Sequence, residues 1–307
     1  MRSAQRRNKQ AVLARRRSVL FLFKLLLVPL FFIIVFLFLK LTTKYWNGSD
    51  KVSYVTKEDS GDVVVTVLDP KLSEVTSLVI PGDTQVEVAG NYGSLRIKNV
   101  WQLGLNEKKE YLLAATITKS FHFPVFLWTG SSAQKLRDAN LPGIIDFIFS
   151  PGRTNIPLGD RVRIGFFFFQ VKSIDKTEIN LGESKFLRKT KLNDGEVGYL
   201  LNGPVSERLT VYFSDNDFAD GNLKVGIVDA AGTPGVGESV GVVIQVLGGK
   251  VVSIDRKTTP SETDCFVLGN NAKVVEKVAN LFTCKKLKEK SAFDVEIRVG
   301  VEFAKRF

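Results

Sequence analysis

Apolar positions follow three different periods along this chain. From Ser18 to Leu39 they run without a break except at Lys24 and Pro29, a stretch of 22 residues. About 20 apolar residues as helix cross a bilayer core. Lys24 lies near the start and snorkels toward the basic flank, and membrane helices tolerate a proline. Farther on the period falls to that of strands. DVVVTVLD (62–69) and EVTSLVI (74–80) are β-rich runs joined by Pro70-Lys71-Leu72-Ser73, a hairpin signal. Pro81-Gly82-Asp83-Thr84 is a turn, and 85–88 resumes extended structure. Helical spacing predicts a helix over Glu107–Phe121, with Leu112, Ala115, Ile117 and Thr118 toward one side. A buried strand is expected at 124–128. DRVRIGFFFFQVKSI (160–174) reads as a helix capped by Asp160.

The last third is more regular. Strands are expected at 223–229, 250–255, 265–268 and 293–299, with helices at 236–247 and 272–283. The order β-α-β-β-α-β is that of a ferredoxin-like domain. Residues 41–59 lack periodicity and read as a tether. Ser214–Asn222, acidic and rich in small residues, suits a domain boundary.

Charge changes this picture at one end only. The formal net charge is +11. Nine of the 43 basic residues and none of the 32 acidic ones lie in residues 1–40, so residues 41–307 carry only +2. Seven of those nine (Arg2, Arg6, Arg7, Lys9, Arg15, Arg16, Arg17) precede Ser18. The basic flank of a span stays in the cytoplasm, so the basic excess reports topology and gives no support to nucleic-acid binding. A cleaved signal peptide has a shorter apolar region and a small-residue site, whereas Phe31–Leu41 is bulky throughout. An uncleaved anchor is therefore expected over 18–40, with the mass of the chain in an extracytoplasmic, disulfide-permissive compartment.

Candidate chemistry is sparse. Cys265 and Cys284 form an even pair that suits one disulfide; two buried thiols are the alternative. His122 is the single histidine, which leaves zinc chemistry without ligands, and a partly buried structural role is its ordinary reading. Gly232-Thr233-Pro234-Gly235-Val236-Gly237, with Asp255 after it, imitates a dinucleotide loop. Its spacing is G-x-x-G-x-G rather than G-x-G-x-x-G, so a tight strand-to-helix turn is expected. Asn47-Gly48-Ser49 matches a glycosylation acceptor beside the membrane and is read as chance. Asp62 and Asp83 sit at neighbouring ends of the predicted hairpin. A carboxylate pair is what Mg²⁺ on a diphosphate requires, and ordinary strand-end aspartates are the other reading.

Residues 62–84 resemble the opening strands of the LytR-CpsA-Psr family of cell-envelope proteins, whose members show R-S-D-T, then L-x-P, then I-P-R-D-T. NYGSLRIKN (91–99) is similar to a glycine-lysine-isoleucine-asparagine tract of that family, and this marks Arg96 and Lys98 as ligand-binding candidates. Residues 223–307 resemble the LytR C-terminal domain through VGIVDAAGTPGVGESVGVVIQVLGGKVVSI and DVEIRVGVEFA. The resemblance implies a polymer transferase that works with Mg²⁺ on a polyprenyl diphosphate carrier. It implies metal roles for Asp62 and Asp83 and guanidinium contacts to the diphosphate. The arginines do not carry over: Ser60 and Gly82 stand in their places, and Arg153, Arg161 and Arg163 belong to no matching motif. Restoring an arginine at 82 is expected to raise diphosphate affinity unless that glycine needs a positive φ.

The expected organisation is an α/β (α+β) chain. It has a basic tail (1–17), a transmembrane helix (18–40), a tether (41–59), a degenerate LytR-CpsA-Psr-like α/β domain (60–213) and a ferredoxin-like C-terminal domain (222–307). The expected role is a non-catalytic envelope protein that binds or scaffolds wall polymer or an envelope partner, without a cofactor. The alternative is a Mg²⁺-dependent phosphotransferase acting on a polyprenyl diphosphate. Topology is directly testable: a reporter active only in the cytoplasm, fused after Phe307, is expected to be silent, and activity there overturns the orientation.

Overall fold

The computed structural model describes residues 27, 29–34, 37–137, 140–219, 221 and 223–307. Residues 27, 29–34 and 37–42 are helical (α1). Among the described residues no helix is long and apolar enough to cross a membrane. The basic tail and most of the first half of the predicted span (1–26, 28), with 35 and 36, lie outside those residues.

The predicted tether holds a strand. β1 (Val52–Lys57) pairs antiparallel with β2 (Val63–Asp69), and β2 pairs antiparallel with β3 (Glu74–Ile80). The hairpin register runs Val63↔Ile80 to Asp69↔Glu74, so the predicted hairpin is present. β1 alternates between faces. Val55 enters one core and Val52 and Tyr54 the other, a period of two hidden by the polar residues around it.

A small hairpin of β4 (Gln85–Glu87) and β5 (Ser94–Arg96) leads into two helices, α2 (Ile97–Asn106) and α3 (Leu112–Phe121). The single helix predicted over 107–121 thus starts at 112. Its first residues form a turn in which Lys108 takes φ +56°. β6 (Leu127–Thr129) joins the edge of the sheet parallel to β1. α4 (Leu141–Phe149) and α5 (Leu158–Gln170) follow, and then β7 (Lys176–Asn180), parallel to β3 on the other edge. The sheet order is β6-β1-β2-β3-β7. Leu113 and Ile117 of α3, with Val100 of α2, cover one face over Val63, Val65 and Val67. Ile144 and Phe147 of α4, with Ile164 and Phe168 of α5, cover the other over Tyr54 and Leu68. A second hairpin, β8 (Leu187–Lys191) with β9 (Val197–Leu201), precedes α6 (Glu207–Phe213) and α7 (Asn216–Ala219).

The C-terminal part corrects the ferredoxin-like expectation. Its elements are β10 (Lys224–Ala230), α8 (Val236–Val246), β11 (Lys250–Arg256), β12 (Cys265–Gly269), α9 (Ala272–Phe282), β13 (Lys285–Lys286), β14 (Val295–Gly300) and α10 (Val301–Arg306). The sheet order is β11-β10-β14-β12-β13. In a split βαβ unit another strand separates the two strands of the crossover. Here β10 and β11 are direct parallel neighbours, and so are β12 and β13. β14 lies between β10, parallel, and β12, antiparallel. Two intact βαβ units flank the last strand. The two-residue β13 that completes the second is too short to be seen in a hydrophobic pattern.

Cys265 opens β12 and Cys284 follows α9. They are bridged, with Cα atoms 4.9 Å apart, because α9 packs back along the strand it follows. Closing a loop of this length contributes about 3 kcal/mol in the chain-entropy account. Alanine at both positions is expected to lower the guanidinium midpoint of the full chain accordingly. An unchanged midpoint shows that the bridge does not hold the second βαβ unit.

Candidate functional site

The hairpin register sets the start of β2 beside the end of β3, and that places Asp62 against the Pro81–Thr84 turn. Asp62 Oδ1 accepts from the Gly82 N–H at 2.8 Å, while the Ser60 hydroxyl lies 3.2 Å from Oδ2. The turn is fastened to the start of α2 by backbone bonds. Lys98 N–H donates to the Gly82 carbonyl at 3.1 Å and Ile97 N–H to the Thr84 carbonyl at 2.8 Å. On its other side Tyr199 N–H of β9 donates to the Asp83 carbonyl at 3.2 Å.

This arrangement brings Arg96 and Lys98 to Asp83. Asp83 Oδ1 accepts from Lys98 Nζ at 2.6 Å and Arg96 Nη1 at 2.7 Å. The Lys98 and Arg96 hydrogen bonds hold the Asp83 carboxyl below the usual carboxylate range. Arg96 is spent twice, since its Nε and Nη2 also donate to Asp194 Oδ2 at 3.0 and 2.8 Å. The backbone N–H of Glu196, and then Arg96, lower the Asp194 carboxyl in turn. Sequence reading missed Asp194, which the β8–β9 turn delivers across 98 residues of chain. All four candidates, Asp62, Asp83, Arg96 and Lys98, therefore meet at one turn, and Asp194 makes the group net acidic.

The other arginines serve elsewhere. Arg153 pairs with Glu110, Arg161 donates to the Ile148 carbonyl, and Arg163 donates to the Trp46 carbonyl at 2.7 Å. Arg137, near Asp62, is held by Glu58 and by Glu178 at 2.9 Å. A Mg²⁺ ion takes several carboxylate and water oxygens in near-octahedral geometry; here Asp83 Oδ1 already carries two cations and Asp62 Oδ1 caps a backbone amide, which leaves the second oxygen of each carboxylate. Among the described residues no three His, Cys, Asp or Glu side chains cluster as ligands.

Gly82 is required for space and not for its φ. It lies outside the positive-φ glycines, but a Cβ there would sit 2.6 Å from the Gly61 carbonyl oxygen and 3.2 Å from Lys98 Cβ. This geometry opposes the expected gain from an arginine at 82, since a side chain there meets the Gly61 backbone before it reaches a ligand.

Three further motifs resolve into structure. The Gly232–Gly237 loop is a turn onto α8, with Gly232 and Gly235 at φ +72° and +88°. Helix N-termini attract anions, but the buried Asp229 carboxylate already takes the Gly237 and Ala231 N–H groups, both at 3.0 Å. His122 ends α3 in the left-handed conformation, and burial lowers its imidazole pKa. Asp160 is in the first turn of α5 rather than at its N-cap, which is Pro157. Its fully buried carboxylate accepts from the backbone N–H groups of Lys44, Tyr45 and Trp46 at 3.2, 2.9 and 3.3 Å. Burial raises its pKa, while those amides pull the other way.

A cavity of about 320 Å³ lies beside the segment 43–51 that links α1 to β1, here called the strap, and is lined by Tyr45, Trp46, Phe126, Phe213, Lys273 and Lys277 among others. Asp50 on the strap pairs with Lys273 at 2.8 Å and Lys277 at 3.2 Å. It thereby ties the first sheet to α9.

No known sequence family and no curated protein matches the chain. Among solved structures it is similar to Bacillus subtilis TagT, at 12% identity and TM-score 0.37 over 52% of this chain and 88% of that one. It is similar to B. subtilis TagV at 12% identity and TM-score 0.37, over 51% and 92%. A third is the LytR-CPS2A-psr family protein YwtF (TagT) with bound octaprenyl pyrophosphate lipid, at 13% identity and TM-score 0.37, over 52% and 87%. That is the family the sequence resembles.

The close approach at Gly82 gives a sharp expectation. Gly82→Ala is expected to lower stability by about 1–3 kcal/mol through overpacking, read by thermal or denaturant unfolding. Gly82→Arg is expected to add no diphosphate affinity by calorimetry; a folded, tighter-binding arginine variant contradicts the geometry.

Proposed function

We propose that this protein is a membrane-anchored, extracytoplasmic envelope protein that binds or scaffolds an anionic wall polymer and does not transfer it. The observation that carries this reading is the self-paired charge at the Asp62–Asp83 turn. Transferring a phosphoryl-linked polymer requires cations free to stabilise charge on the diphosphate. Arg96 and Lys98, the cations at the matching place, are held by Asp83 and Asp194 at 2.6–3.0 Å. A diphosphate has to displace two carboxylates to recruit them, and their charges oppose its approach.

The surface for a polymer lies next to that turn. β8 carries Arg188, Lys189 and Lys191 in a row of five residues, largely exposed and without an ion pair among the described residues. β9, its partner, is bonded to the turn through Tyr199. Extended, solvated cations of this kind track a polyanion and give salt-dependent affinity without orienting one phosphate for attack.

The test uses the full chain in detergent with a polyprenyl-diphosphate-linked polymer, Mg²⁺ and a peptidoglycan acceptor. Polymer binding without release of polyprenyl phosphate is expected. Lys189→Glu with Lys191→Glu is expected to weaken binding at least tenfold at low salt. Release of polyprenyl phosphate that Asp62→Ala abolishes would establish the Mg²⁺-dependent transferase instead.

A further inference from the structure

Helices α4 and α5 cover the sheet with one face and leave the other face apolar. On α4 the exposed positions Leu141, Ile145 and Phe149 recur every four residues, opposite the buried Ile144 and Phe147. On α5 Phe166 and Phe169 point outward while Ile164 and Phe168 are buried, and Ile174 lies just beyond the helix. These six side chains are 49–86% exposed. The two helices touch closely, since a Cβ at Gly165 would lie 3.0 Å from Ile144 and 3.1 Å from Ile148. Their outward residues therefore make one patch. Side chains this apolar on neighbouring helical faces mark a contact surface rather than scattered exposure.

The place of the patch identifies its occupant. The chain leaving α1 presses onto the first turn of α5, where a Cβ at Gly159 would be 2.6 Å from Thr43 N and 2.7 Å from the Thr42 carbonyl carbon. Asp160 and Arg163 bind the strap 44–46, and Phe167 meets Trp46 edge to face at 5.7 Å between ring centroids. α5 thus starts at the foot of α1. Phe166 is seven residues from Gly159, about 10 Å of helical rise. The described part of α1 is itself apolar and exposed, Leu41 at 84%. The headgroup region adds roughly 5–8 Å on each side of the hydrocarbon. Lys40 and Lys44 are exposed at that foot and Lys172 just past the other end of α5, cations of the kind interfacial helices use on anionic lipid.

We propose that the α4–α5 pair lies in the bilayer interface, its apolar face among the lipids, so that the first sheet docks on the membrane and is not held off by a tether. This rests on the membrane-anchored reading above, and the two are separated in one experiment. The full chain is reconstituted in phosphatidylcholine–phosphatidylglycerol vesicles with an acyl-chain quencher in the lipid. An environment-sensitive fluorophore is placed on single introduced cysteines, Phe149→Cys, Phe169→Cys, Leu37→Cys or Ile254→Cys. The native cysteines are bridged, so they do not react without reductant. Labels at 149 and 169 are expected to be quenched by the lipid at least threefold more than the label at 254. Either site suffices should the other variant misfold. Quenching at 37 with labels at 149 and 169 as open to aqueous iodide as that at 254 overturns the docked face and keeps the anchor. Labels shielded from iodide yet unquenched by lipid show a second copy or a protein partner on the patch, and also overturn it. A water-exposed label at 37 removes the anchor itself.

Discussion

A buried carboxylate fastens the beginning of this chain to its core. Asp160 reaches from the first turn of α5 to three consecutive backbone amides at 44–46. An unpaired buried amide is costly, and these three belong to irregular backbone with no strand beside it. The acid therefore fixes the strap and so the direction in which β1 enters the sheet. Trp46 is buried against α5, and six residues later Val52 begins the strand that pairs with β2. Burial raises the Asp160 pKa, and the carboxylate is tolerable there because peptide dipoles converge on it. Removing it leaves three donors without an acceptor inside a packed seam.

The same strap reaches the other sheet. Asp50, Asp215 and Asp217 surround Lys273 and Lys277 of α9. The hydrogen bonds that Lys273 donates to Asp50 and Asp217 raise its pKa. For Lys277 burial works downward and is outweighed by Asp215 and Asp217. Paired charges of this kind hold a partly wet seam in register more than they stabilise it. Next to them the apolar walls of the cavity stay open. The strap is consequently the element on which α1, the first sheet and the C-terminal sheet all depend.

At the Asp62–Asp83 turn, close backbone packing decides the chemistry. The turn, the start of α2 and β9 approach one another through carbonyls and amides, so position 82 has no room for a side chain. Cations that the sequence places nearby are drawn onto Asp83 and Asp194 because those acids are within hydrogen-bond reach of them. A charge group that satisfies itself offers a diphosphate little. Exposed cations without such partners among the described residues lie one hairpin away, on β8.

The chain's own order settled those features that depend on local period or on pairing across a short loop. The β2–β3 hairpin, the helices near 236–247 and 272–283, and the nearness of Asp62 to the Gly82-Asp83 turn were all legible, because alternation and turn residues act over a few positions. Features that depend on distant partners were not. β1 looked like a tether because its strand period shows only once β2 and β6 lie on either side. Asp160 looked like a cap because its true partners are more than a hundred residues away. The ferredoxin-like order failed because strand sequence along the chain does not say which edges meet, and the placement of β14 between β10 and β12 is a tertiary choice. Asp194 and the steric closure at Gly82 likewise exist only once the β8–β9 hairpin and α2 have closed around the turn.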